Sequence, residues 1–149
     1  DDRELMWRLI GNCWVQWRWA AAITPKGGFF CEVAAAQDML LDGPGGYDIV
    51  PRWWKKNPNE FQDQVKRYCE NCSAAIPMKG VSSHAKWDTI SKSNAKRLEE
   101  IGSRRYKDGH FKLANFKLTE KEIDQVVEDG WEPWSHRPYK QNVPDKRFV

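Results

Sequence analysis

The chain has 149 residues, enough for about one domain at roughly 150 residues each. Lys and Arg number 24 against 21 Asp and Glu, and a net charge of +3 excludes a scaffold that binds nucleic acid through bulk charge alone. The hydrophobic share of 40% lies below the usual soluble mix but far above disordered composition. Nine Trp, six Phe and four Tyr then imply a core of few, large side chains. No run approaches the ~18 consecutive apolar residues of a membrane span. The opening Asp1-Asp2-Arg3-Glu4 is acidic and unlike a secretory signal, so a cytoplasmic location is expected. The sequence starts in what reads as the middle of a helix, without an initiator Met, and is expected to be an excised piece of a longer protein.

In chain order, residues 3–10 fit a short helix with Leu5, Met6, Leu9 and Ile10 on one side. The aromatic and β-branched content of residues 14–22 predicts a strand. Thr24-Pro25-Lys26-Gly27-Gly28 predicts a turn into a second strand over residues 29–33. Residues 33–41 read as a helix stopped by Asp42-Gly43-Pro44-Gly45-Gly46. Asn57 or Asn59 caps a helix from about residue 58 to 68, with Phe61, Val65 and Tyr68 on one face. A helix capped by Ser91 or Ser93 ends at Gly102, and residues 111–116 alternate like an edge strand. Thr119 and Glu122 form a capping box for a last helix carrying Ile123, Val126 and Val127. The tail from Trp131 is rich in Pro and charge. The fold class is α+β, a small hairpin-plus-helices domain organised around one four-cysteine metal site, with a helical C-terminal part. Residues 1–78 form the cysteine-bearing core, and residues 79–149 form an extension packed on it.

The cysteines are Cys13, Cys31, Cys69 and Cys72, separated by 17, 37 and 2 residues. Without an export signal they read better as metal ligands than as disulfides. In Cys69-Glu70-Asn71-Cys72 a turn can present both sulfurs to one centre while its N–H groups face them. This pair follows a predicted helix instead of opening one, which argues against a redox dithiol. Four soft ligands suit zinc or an iron–sulfur cluster, with Trp14, Phe29 and Phe30 as an apolar surround. The alternatives are disulfides, or Cys13 and Cys31 as small core residues beside an incidental Cys-x-x-Cys. His84, His110 and His136 lie on polar stretches and are expected at the surface.

The Cys13-Trp14 segment, the glycine turn, Gly28-Phe29-Phe30-Cys31-Glu32-Val33-Ala34 and the later Cys-x-x-Cys resemble the C-terminal extension of radical S-adenosylmethionine proteins, of the SPASM or shorter twitch type. Asp88-Thr89-Ile90-Ser91-Lys92-Ser93-Asn94, Arg97-Leu98 and Ile101-Gly102-Ser103 are also similar to the tails of such proteins. The resemblance spans about residues 8 to 118. It implies an auxiliary [4Fe–4S] cluster held by Cys13, Cys31, Cys69 and Cys72, with zinc able to occupy the same sulfurs in an isolated chain. A full SPASM region has cysteines for two clusters, whereas four serve one. The Cys-x3-Cys-x2-Cys signature is absent from this sequence, so the resemblance implies an auxiliary domain cut from a larger enzyme or a relative that lost its catalytic barrel, with an N-terminal catalytic domain or a protein partner as its companion.

No catalytic residues are assigned. Glu99-Glu100 and the acids of residues 120–124 fit solvated helix faces, and Gly43-Pro44-Gly45-Gly46 lacks the Lys-Ser/Thr of a phosphate loop. Arg52-Trp53-Trp54-Lys55-Lys56 and Arg104-Arg105-Tyr106-Lys107 could stack bases and meet phosphates. The alternative function is therefore a zinc-stabilised binding module for nucleic acid or a protein partner.

Overall fold

The computed structural model describes residues 2–15, 21–76, 84–115 and 117–129. Helix α1 (Asp2–Gly11) matches the expected amphipathic segment and buries Leu9 and Ile10. Its end is tightened by bonds from Asn12 N–H to Leu9 O and from Cys13 N–H to Ile10 O, each 3.1 Å. The strand expected over residues 14–22 does not begin at Trp14. Trp14 and Val15 are helical, residues 16–20 lie outside the described set, and β1 covers only Ala22–Thr24. Aromatic and β-branched content reports a preference for packed surfaces, which helical Val15 satisfies equally well by burial.

Strand β1 pairs antiparallel with β2 (Gly27–Phe29) across Pro25-Lys26, in the register Ala22↔Phe29 and Thr24↔Gly27. The expected second strand over residues 29–33 stops early, because Cys31 is already the N-cap of α2 (Glu32–Leu40). After α2 the glycine loop returns to β2, where Gly28 and Tyr47 exchange backbone bonds of 2.8 and 2.9 Å. A Cβ on Gly46 would lie 2.3 Å from the Gly28 carbonyl oxygen, so only glycine lets the loop approach so closely. Gly28 also seats the ring of the buried Trp53, from which an added Cβ would be 2.7 Å away.

The loop is fixed by a buried carboxylate. Asp38, fully buried on α2, accepts from Gly45 N–H at 2.9 Å and from Tyr68 OH at 2.6 Å. Its Oδ2 faces the Lys26 ammonium at 3.2 Å, near enough for charge pairing but not aligned as a hydrogen bond. Burial alone raises the Asp38 pKa, but the bonds from Tyr68 and Gly45 and the charge of Lys26 outweigh it and hold the carboxyl below its ordinary value.

Asn57 closes a capping box with Glu60, and the chain makes a 3-10 turn (Pro58–Phe61) before α3 (Gln62–Tyr68). The helix expected from about residue 58 is therefore present with a tighter first turn. Phe61 and Tyr68 are buried and Val65 half-buried, on the expected face. Gln64, also buried, takes the place of a neighbouring strand. Its Nε2 donates to Gly28 O and its Oε1 accepts from Phe30 N–H, both at 3.1 Å.

In the second half, β3 (Asp88–Ile90) pairs in parallel with β4 (Phe111–Leu113) across α4 (Lys92–Glu100) and α5 (Arg104–Lys107). The expected strand over residues 111–116 is thus shorter, and its partner had no sequence assignment. Helix α6 (Glu120–Asp129) carries the expected Thr119–Glu122 capping box and places Val126 against Leu9 and Ala75, so the two halves meet through α1. Among the described residues no helix is long and apolar enough to cross a membrane.

Two outcomes are expected. Gln64→Leu strands the buried Phe30 N–H and should lower unfolding free energy by about 1–3 kcal/mol in a denaturant titration. Because Asp38 is more acidic in the folded chain than in the unfolded one, its contribution is present above the ordinary carboxyl pKa and lost as pH falls through the folded value. Asp38→Asn should therefore flatten the acid limb of a stability–pH curve while lowering stability near neutrality.

Candidate metal centre

The four cysteines arrive from three separate segments. Cys13 follows the last turn of α1, and Cys31 occupies the N-cap of α2 with φ −145° and ψ 138°. Cys69 caps the C-terminal end of α3 and starts a 3-10 turn (Cys69–Asn71) that Cys72 closes. The stretch from Cys13 to Trp19 and that from Phe29 to Val33 read in sequence as the two arms of a hairpin carrying one cysteine each, and this is corrected: neither Cys13 nor Cys31 lies in β1 or β2. Sequence placed Cys69 and Cys72 at a helix end correctly but missed that Cys31 begins a helix.

All four side chains line one apolar cavity, together with Val15, Phe30, Ala34, Tyr68 and Ala74. None of the four is joined in a disulfide. Among the described residues, no three His, Cys, Asp or Glu side chains are gathered into a set that would hold a metal ion as it stands. The arrangement is a shared wall of sulfur and not a closed coordination shell.

The electrostatics follow from that shared wall. Burial pushes Cys69 up to about 12, helped by Cys72, Cys31 and Cys13. Cys72 rises to about 11 through burial and the other thiols, against the pull of Ala74 N–H, which donates to Cys72 Sγ at 3.3 Å. Cys31 is raised by burial, although the Ala34 and Val33 N–H groups at the start of α2 draw it down. Neither of those contacts is close enough to count as a hydrogen-bonded cap. Cys31, Cys69 and Cys72 resist charge first through burial and then through neighbouring thiols, and a cation among the sulfurs would reverse the second effect.

No family model, curated protein or solved structure matches this chain. Function must therefore be argued from the site itself.

Of the apolar surround expected from sequence, Phe30 forms cavity wall. Phe29 lies behind it, fully buried and edge-on to Tyr68 at 6.1 Å, and Trp14 packs half-buried against the same core. Trp53 is buried on Gly28 and Trp54 is 53% exposed, and neither lines the cavity. His84 and His110 are exposed, and His136 lies outside the described residues. In the second basic patch Arg105 meets Asp88 at 2.6 Å and Arg104 meets Asp108 at 3.8 Å, so two of its three cations already face carboxylates. Sequence reading missed the residues that hold the Cys-x-x-Cys turn. Arg3 of α1 pairs with Glu70 at 2.8 Å, and Asn94 Nδ2 of α4 donates to Asn71 O at 3.0 Å.

Raised thiol pKa values keep the thiolate scarce, and the thiolate is the nucleophile. In metal-free protein Cys69 and Cys72 should alkylate with iodoacetamide far more slowly than free cysteine at neutral pH, and faster as pH rises. Peptide mass spectrometry of the modified sites checks this.

Proposed function

We propose that this chain is an auxiliary metal-cluster domain in which Cys13, Cys31, Cys69 and Cys72 hold one [4Fe–4S] centre. The observation that carries the reading is that four cysteines from three distant segments line a single apolar cavity, with no carboxylate or imidazole among the described residues of its wall. The donor set fits the group: soft sulfur ligands, a low-dielectric wall, and a backbone N–H directed at Cys72 Sγ, which is how proteins tune such centres. Binding asks the sulfurs to close on the centre, so ordering of the site and loading are one event.

Four protein ligands leave no vacancy for substrate, which gives the centre a structural or electron-transferring role. The bound cluster would supply one-electron transfer. The chain's own residues exclude water from it and orient its ligands. The choice of cluster over zinc rests on the resemblance to the extension of radical S-adenosylmethionine proteins. The same resemblance supplies the proposed partner, a catalytic domain bearing the Cys-x3-Cys-x2-Cys motif. Four cysteines with no disulfide among them fit a reducing compartment such as the cytoplasm.

Anaerobic reconstitution with iron and sulfide should give a brown protein with one cluster per chain. Cys69→Ser should lower iron content and melting temperature together, whereas His84→Ala should change neither. A wild-type chain that takes up neither iron nor zinc overturns the proposal. A colourless protein holding one zinc under the same conditions supports the zinc-stabilised binding module instead.

A further inference from the structure

We infer that Asn94, on a helix from the other half of the chain, is a positioning residue for the Cys69–Cys72 turn. This role rests on the four-thiol reading above. Asn71 lies between the two cysteines, and its carbonyl oxygen accepts from Asn94 Nδ2 at 3.0 Å. The turn's own bonds run from Cys72 N–H to Cys69 O at 3.1 Å and from Ala74 N–H to Cys72 Sγ at 3.3 Å. The Asn71 carbonyl, which sits inside that ring of contacts, is held from outside by α4. Rotation of this peptide would turn the backbone that carries Cys72 away from the cavity. The Asn94 amide opposes that rotation.

The side chain has no competing task in its own helix. Ser91 is the N-cap of α4, and its Oγ accepts from the backbone N–H of Asn94 at 3.1 Å, leaving the Asn94 amide free to reach the turn. Asn94 is thus the third residue of α4, where an acidic residue is favoured by the helix dipole. Asn94→Asp consequently keeps the shape and suits the helix, but replaces the amide donor with a carboxylate facing a carbonyl oxygen. The substitution separates helix stability from support of the turn. Bonds one step behind a metal ligand typically matter by roughly 10-fold to 100-fold in metal affinity.

The test compares wild-type chain, Asn94→Asp and Asn94→Gln after anaerobic loading with iron and sulfide. Release of iron to an excess of chelator is followed, with melting temperatures taken for loaded and metal-free samples. Asn94→Asp should release iron about 10-fold faster or more. Its metal-free melting temperature should fall less than its loaded one, so that the gain on loading shrinks. Asn94→Gln, which keeps the donor on a longer arm, should restore most of the retention. Wild-type release from Asn94→Asp overturns the inference. So does release from Asn94→Gln as fast as from Asn94→Asp, or an equal fall in both melting temperatures with unchanged release. A wild-type chain that loads no metal fails one step earlier, removing the four-thiol reading and this role with it.

Discussion

Val15, Phe30, Ala34 and Tyr68 wall the cavity that the four thiols share and limit its contact with water, and the same residues belong to the buried core of the N-terminal half. Desolvation is the constraint from which the other properties of this region follow. It raises Cys31, Cys69 and Cys72 and lets each sulfur feel the others across a medium that screens charge poorly. It also couples packing to chemistry, because a cavity made from core residues cannot be reshaped without disturbing the core.

Polar side chains complete what apolar packing cannot. Tyr68 presents its ring to the cavity while its hydroxyl donates to Asp38, and Asp38 in turn holds the Gly45 N–H of the glycine loop. Gln64 gives the backbone of β2 the partner that a wider sheet would supply, next to Phe30 and one residue before Cys31. Short strands and a small hairpin thereby acquire a fixed position relative to α3. That matters because α3 delivers the Cys-x-x-Cys turn. Buried groups satisfied in this way are costly to disturb singly, since each leaves a stranded partner behind.

Much of this architecture was legible in local signals. Gly43 to Gly46 as a stop, a cap at Asn57 or Asn59, a cap at Ser91 or Ser93 and the Thr119–Glu122 box act over a few residues, and of the paired candidates Asn57 and Ser91 do the capping. What could not be read was set by distant contacts. Cys31 reads as a strand residue because Phe29 and Phe30 precede it, yet the chain turns there and Glu32 starts a helix. Residues 88–90 are too short and too mixed to announce a strand without their partner at residues 111–113. Gln64 and Asn94 carry no sequence signature, because a buried amide is recognisable only once the backbone group it meets is known. The convergence of the cysteines belongs to the same class. Their spacing suggested a common site, but the shared cavity depends on how three segments pack.

The parallel pairing of β3 with β4 has a consequence for the order in which the molecule assembles. A hairpin can zip as soon as its turn forms, but this ladder needs α4 and α5 to cross between its strands first. Until Phe111 to Leu113 are in place, Asp88 to Ile90 have no ladder to join, so closure of this half waits on the whole crossover. Arg105 of α5 meets the Asp88 carboxylate at 2.6 Å, so the crossover is tied to the first strand it spans.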